Sequence, residues 1–298
     1  MAKGLTMTRR IQLLIGILLL IASPAKGAAA PLAGEPSDRK LIVAGPGSST
    51  AVMQRIADSF QRRRQSDVSF HVIPGIGSTG VIKAVTAGRI DIGLSPRPLT
   101  AEERGQGLIE TPYGRTPFVF AVQESNPTVS MTLTEIEALY AGLREVWPDG
   151  RRVRPILRPV HADASLFLAG ISPRLKSAYE KAHSIPGVRI SMTDGEAKEN
   201  IEKTPGAFGT IYASCLVMEP RGIKALAIDG VAPAPTNLAD GVNISAGRYP
   251  YAVTMSMVYK RDHRTERVTD FIRFVFSKDG TKILSESGYM AVPPLAGK

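Results

Sequence analysis

The stretch that most constrains this chain is Pro74–Lys83, reading Pro-Gly-Ile-Gly-Ser-Thr-Gly-Val-Ile-Lys. In front of it, Val68, Phe70 and Val72 alternate with polar residues through Asp67–Ile73, the period of a half-buried strand. Behind it, Val81, Ile82 and Val85 recur at helical spacing. Glycines at 75, 77 and 80 let the backbone turn tightly and come close to a ligand. Ser78 and Thr79 stand where a helix start needs caps, beside N–H groups that have no intrahelical partner. A strand, a small-residue turn and a helix N-terminus in that order attract anions.

The design occurs once earlier. Lys40–Ala44 reads as a short buried strand, followed by Gly45-Pro-Gly-Ser-Ser-Thr50 and a helix with Val52, Ile56, Ala57 and Phe60 on one face. A third strand, Ile90–Leu94, enters Ser95-Pro-Arg-Pro98. Strands alternating with helices imply an α/β fold with a mainly parallel sheet, whose ligands gather at the carboxyl ends of strands. Further along, strands are expected at Leu108–Pro112, Phe118–Gln123, Val153–Leu157, Ala207–Ile211, Ile223–Ile228 and Tyr251–Tyr259. Helices are expected at Thr134–Ala141 (capped by Thr132 or Thr134), Ser165–Gly170, Pro173–His183, Gly195–Lys203, Glu266–Phe276 and Lys278–Ser287. Gly230–Gly247, rich in Pro, Asn and Gly, reads as loop. Two lobes are expected, 38–121 with 252–298 and 122–251, joined by two extended crossings.

Residues 1–30 read as a cleaved secretory signal peptide. Lys3, Arg9 and Arg10 precede the apolar run Ile11–Ala22, and Ala28-Ala29-Ala30, or Gly27 before it, offers the cleavage site. The run is too short to span a bilayer comfortably. The sole cysteine, Cys215, rules out an internal disulfide and lies far from the leader, so it is no lipid anchor. A periplasmic protein fits both facts. The leader carries four bases, Lys3, Arg9, Arg10 and Lys26, and no acid, so its removal takes the formal charge from +10 to +6. That balance favours small anions or an acidic partner surface. With one Trp and no basic stripe interleaved with aromatics, nucleic acid is not expected as a partner.

Several chemistries fall away. Gly75-Ile-Gly-Ser-Thr-Gly80 fits the dinucleotide spacing, but it follows the second strand, and the Pro96–Pro98 turn stands where an acid is required. No G-x-S-x-G elbow supports a hydrolase, although His161 and Asp163 could be drawn as partners. No Cys or His pair has metal-ligand spacing. No catalytic residue, metal or cofactor is expected. Anion binding survives: Ser48, Ser49, Thr50, Ser78 and Thr79 put hydroxyls at helix N-termini, Gly80 lies in the same turn, and Arg97 and Arg158 follow strand ends with forks suited to oxyanions.

Four stretches carry a resemblance to a known family: Ala44–Thr50; Pro74–Gly93, where Gly-Ile-Gly-Ser-x-Gly-x-x-Lys leads through Ala-Gly to Asp-Ile-Gly; Leu133–Trp147; and Thr204–Tyr212. Together they resemble the phosphate-binding proteins of bacterial phosphate ABC transporters, in the periplasmic-binding-protein superfamily. The resemblance implies a type II two-lobed fold with a two-stranded hinge, closing on a dehydrated oxyanion. It implies a monomeric, non-enzymatic protein that delivers phosphate or a related oxyanion to the membrane subunits of an ABC transporter. A sensor or envelope interaction protein with altered or lost anion binding is the alternative. By the same resemblance Ser49, Thr50 and Ser78 match the family's hydroxyl donors, and Arg158 its arginine from the second lobe. Two positions depart. Pro96 replaces an aspartate that accepts a hydrogen bond from protonated phosphate, and Ala162-Asp163-Ala164 stands in place of Ser-Gly-Thr. Asp163 therefore either turns away to an arginine, or marks a ligand with a cationic or hydroxyl group.

Overall fold

A computed structural model describes residues 40–64, 69–220, 222–233 and 249–293. The leader, Val68 and most of the Gly230–Gly247 loop lie outside them. From the N-terminus the chain runs β1 (Leu41–Gly45), α1 (Gly47–Arg64), β2 (Phe70–Pro74), α2 (Ser78–Thr86), β3 (Ile92–Ser95), α3 (Ala101–Gly105) and β4 (Leu108–Gln123). It continues through β5 (Ser130–Met131), α4 (Leu133–Tyr140), β6 (Arg154–Leu157), α5 (Asp163–Ile171), α6 (Pro173–His183), β7 (Arg189–Ile190) and α7 (Asp194–Lys203). Then come β8 (Ala207–Tyr212), α8 (Ala213–Met218), β9 (Ile223–Ala225), β10 (Ala227–Ile228), β11 (Ala252–Lys260), α9 (Glu266–Val275), α10 (Lys278–Glu286) and β12 (Met290–Ala291).

The main sheet has the order β2-β1-β3-β11-β4-β8-β6-β7, with β9 and β12 also on β4. Pairing is parallel in both outer parts, among β1, β2 and β3 and among β6, β7 and β8. The central strands β4 and β11 pair antiparallel with their neighbours. Parallel strands need a crossover, and the helices between them supply it. The expected inner faces are buried: Val52, Ile56, Ala57 and Phe60 of α1, Val81, Ile82 and Val85 of α2, and Val268, Phe271, Ile272 and Val275 of α9. Phe60 meets Phe271 edge-on, with ring centroids 5.8 Å apart, closing α1 against α9.

β4 corrects the expectation of two separate strands. It is one strand of 16 residues that contains both Pro112 and Pro117. Opposite Met255 and Ser256 the register shifts from Gly114 to Pro112 and passes over Tyr113. Proline has no N–H for the ladder, and a bulge is where a sheet tolerates it. Beyond Pro117, β4 exchanges β11 for β8 and β9 as neighbours. The same strand therefore serves both parts of the sheet. The expected strand Ile223–Ile228 is divided into β9 and β10, and β10 pairs instead with β5.

Register decides where the loops meet. Gly45 lies beside Pro74, and Ala44 beside Gly93, so the segments leaving β1, β2 and β3 emerge at one edge. Likewise Leu157 lies beside Ile190, so Arg158 and the start of α7 leave the other part side by side.

Candidate functional site

Arg158 follows the last residue of β6 and is only 8% exposed. Its backbone is fixed from two sides. Its N–H donates to the Tyr179 hydroxyl at 2.8 Å, and its carbonyl lies 2.9 Å from His183 Nε2. The guanidinium donates through Nη1 to Asp194 Oδ1 at 3.0 Å and through Nη2 to the Met192 carbonyl at 3.2 Å. Its Nε is buried without a partner. Asp194 opens α7, where a carboxylate complements the helix dipole, and its Oδ2 accepts from Ser48 Oγ at 3.0 Å. Asp194 thus ties the end of β6 to the N-terminus of α1.

A second contact of the same kind lies at α2. Its N-cap, Gly77, offers no side-chain cap. The missing acceptor comes from 85 residues away: Asp163 Oδ2 takes the Ser78 N–H at 3.0 Å and the Ser78 hydroxyl at 2.8 Å. Ser95 Oγ, at the end of β3, stands 3.0 Å from Ser78 Oγ and completes a buried hydroxyl pair. Tyr212 lies near both carboxylates. Its hydroxyl is pushed well above the ordinary value, first by burial and then by the charges of Asp194 and Asp163.

The structure therefore brings together Ser48, Ser78, Arg158 and Asp163 of the expected residues. Ser49 is fully buried and points its hydroxyl at the Met255 sulfur, 3.6 Å away. Thr50 Oγ1 turns back to the carbonyls of Pro46 and Gly47. Thr79 and Gly80 are exposed in the first turn of α2. Asp163 does not turn away to an arginine; it faces Ser78. Sequence reasoning missed Asp194, Ser95 and Lys198. Lys198 is 5% exposed, pairs with Glu219 at 2.9 Å, and joins Ser48, Asp194 and Cys215 in lining a cavity of about 180 Å³. The Thr193-Asp194-Gly-Glu196 cap was a visible helix-start signal, but nothing in its spacing pointed to Arg158.

Arg97 is drawn to Glu103, with Nη1 to Oε2 at 2.9 Å and Nη2 to Oε1 at 2.8 Å. That hydrogen bond is the main reason the Glu103 carboxyl is pushed down to about 2 from 4.5. A folded value below the unfolded one stabilises the fold above pH 4.5, and the contribution fades as pH falls toward 2. Solvent screening of these partly exposed side chains limits it to about 1 kcal/mol. Glu103→Gln keeps the cap on Thr100 but removes the titration. Its urea-melt stability should lose pH dependence between 4.5 and 2 relative to the parent; an identical acid limb would show that the pair contributes none of it.

A PBP superfamily domain model matches residues 30–279. The protein SphX of Synechococcus elongatus is 25% identical over 281 residues, covering 88% of this chain and 81% of its own. The phosphate-binding protein PstS of Bacillus subtilis is 24% identical over 265 residues, covering 87% of this chain and 82% of its own. A crystal structure described as a phosphate ABC transporter substrate-binding protein with bound phosphate, from Clostridium perfringens, matches with a TM-score of 0.71 at 24% identity. The match covers 85% of this chain and 100% of that one. Among the described residues, no helix is long and apolar enough to cross a membrane.

Proposed function

This chain belongs to the PBP superfamily, and from that premise we propose that it is an exported solute-binding protein that takes phosphate or a related small oxyanion for an ABC transporter. One observation carries the reading. The Ser48 and Ser78 hydroxyls, the Ser78 N–H and the buried Arg158 fork converge from three strand ends, and each already holds a carboxylate oxygen. Groups that bind carboxylate oxygens at 2.8–3.0 Å offer the donors an oxyanion needs. The names of the Bacillus subtilis relative PstS and of the phosphate-bound structure support phosphate as the first solute to try.

The lobes we take as 38–121 with 252–298 and 122–251. Closure would then flex β4 near Pro117, where its neighbours change, and the return crossing at the start of β11. The mature protein is read as a periplasmic monomer. The reading is non-enzymatic: the Ser78 hydroxyl is engaged by the Asp163 carboxylate and not by a histidine, and burial pushes the Cys215 thiol above its ordinary value.

The test is calorimetry on refolded, ligand-stripped protein with phosphate, sulfate and organic phosphates. Saturable heat with one of these anions, lost in Arg158→Ala, is the expected result. Silence with every anion would refute the reading and leave a sensor or envelope partner that keeps the fold without the solute.

A further inference from the structure

We propose that Asp163 is the specificity-determining residue of this cleft: its carboxylate is an internal occupant of the α2 anion position, and a fully ionised inorganic oxyanion must displace it. The inference rests on reading the cleft as an anion site. Three observations carry it. First, the donors at the α2 N-terminus, the Ser78 N–H and hydroxyl, both go to Asp163 Oδ2, an oxygen 85 positions along the chain. Second, two helix starts meet at this one carboxylate. Asp163 is itself the first residue of α5, whose N-cap, Ala162, has no side-chain cap either. Two positive helix ends brought together need an anion, and Asp163 supplies it from within. Third, Arg158, paired with Asp194 at the end of β6, is more than nine-tenths buried with Nε unpartnered, so one guanidinium donor of the proposed cleft is uncommitted.

Arg97 lies close enough for Asp163 to favour its charged form, but the cations of the cleft already have carboxylate partners. Arg97 is forked onto Glu103, Arg158 is paired with Asp194, and Lys198 with Glu219. An entering dianion would meet two carboxylates and a serine whose donors are already used. Asp163 is a tethered competitor, present at the site whatever the solute concentration. A residue without the carboxylate at position 163 would free Ser78 and remove the like charge together. The substitution that departs from the Ser-Gly-Thr pattern thus sets which anions enter.

The experiment measures phosphate and sulfate binding by calorimetry for the parent, Asp163→Ala and Asp163→Asn, at fixed ionic strength and neutral pH. Alanine is a good helix former at this first-turn position, and asparagine keeps the shape while removing the charge. Thermal melts identify a variant that fails to fold, and the other then decides. Asp163→Ala is expected to bind phosphate at least tenfold more tightly than the parent, with Asp163→Asn between them. Adding Ser78→Ala to Asp163→Ala should cancel the gain, because the freed donor is gone. Equal affinities in the parent and both variants would overturn the inference and leave the proposed function standing. Weaker binding in the variants would overturn it too, making Asp163 a ligand for the solute and not its competitor. No binding of either anion by any of them would overturn this inference, and silence with the organic phosphates as well would overturn the proposed function.

Discussion

Arg158→Ala is expected to abolish anion binding and to cost the fold roughly 3–5 kcal/mol, the range for breaking a buried ion pair by removing one partner. The binding loss follows from geometry, since Arg158 is the fork that joins the two parts of the site through Asp194 and Ser48. The stability loss comes from what is left behind. Asp194 is 6% exposed, and without Nη1 its carboxylate would retain the single bond from Ser48. A buried charge with one neutral donor is poorly solvated. Arg158→Lys separates the two effects. A lysine restores a positive charge near Asp194, so much of the stability should return, but it cannot reach Asp194 and the Met192 carbonyl with a planar fork, so binding should not. Urea melts together with calorimetry check both halves. The pair Arg158→Ala and Asp194→Ala also forms a cycle, in which the double variant should be more stable than the sum of the single losses predicts. Additive losses, or a melt for Arg158→Ala within 1 kcal/mol of the parent, would show that the pair is not the anchor drawn here.

What the chain disclosed in advance follows a physical division. Local signals were legible: the small-residue turns before α1 and α2, a threonine cap at 132 or 134 for α4, which the structure places at Thr132, and the apolar faces of α1, α2 and α9. Each depends on residues within a turn or two of one another. Ser48, Ser49 and Thr50 show the limit of that reading. Three adjacent hydroxyls at a helix start look equivalent in sequence, yet successive helical residues point about 100° apart. Only Ser48 reaches Asp194, while Ser49 turns into the core and Thr50 back on its own turn. The bulge in β4 was hidden for a related reason. The two expected strands stop at Pro112 and resume after Pro117, and only the partner strand's shifted register reveals how one strand runs through both. The contacts of Asp163 and Asp194 were illegible. Their partners lie 85, 36 and 146 positions away, and pairing at such separations is set by topology, not by spacing. The departure at Ala162–Ala164 was visible; its consequence at Ser78 needed the fold.

Gly206→Ala is the second change with a large expected effect, about 4 kcal/mol or more of lost stability, a size reserved for named structural damage. Gly206 has φ of +76°, which costs an L-residue about 1–2 kcal/mol in the left-handed region. Strain is the smaller part. A Cβ there would overlap the carbonyl oxygen of Arg152, a backbone atom that cannot swing aside. Nor can Gly206 move freely, because its own carbonyl accepts from Trp147 Nε1 at 2.8 Å and from the Arg154 N–H at 3.0 Å. Trp147 is fully buried against Phe208, so relieving the overlap disturbs the core beneath β8. Gly150→Ala supplies the comparison. It also has positive φ, +84°, but a Cβ there meets nothing within 4 Å, so only the conformational cost of about 1 kcal/mol applies. Equal losses in the two variants would refute the steric argument. Because Arg154 opens β6 and Arg158 directly follows it, the damage should also reach the cleft. At a temperature where Gly206→Ala remains folded, it should bind anion more weakly than Gly150→Ala, although neither glycine touches the site.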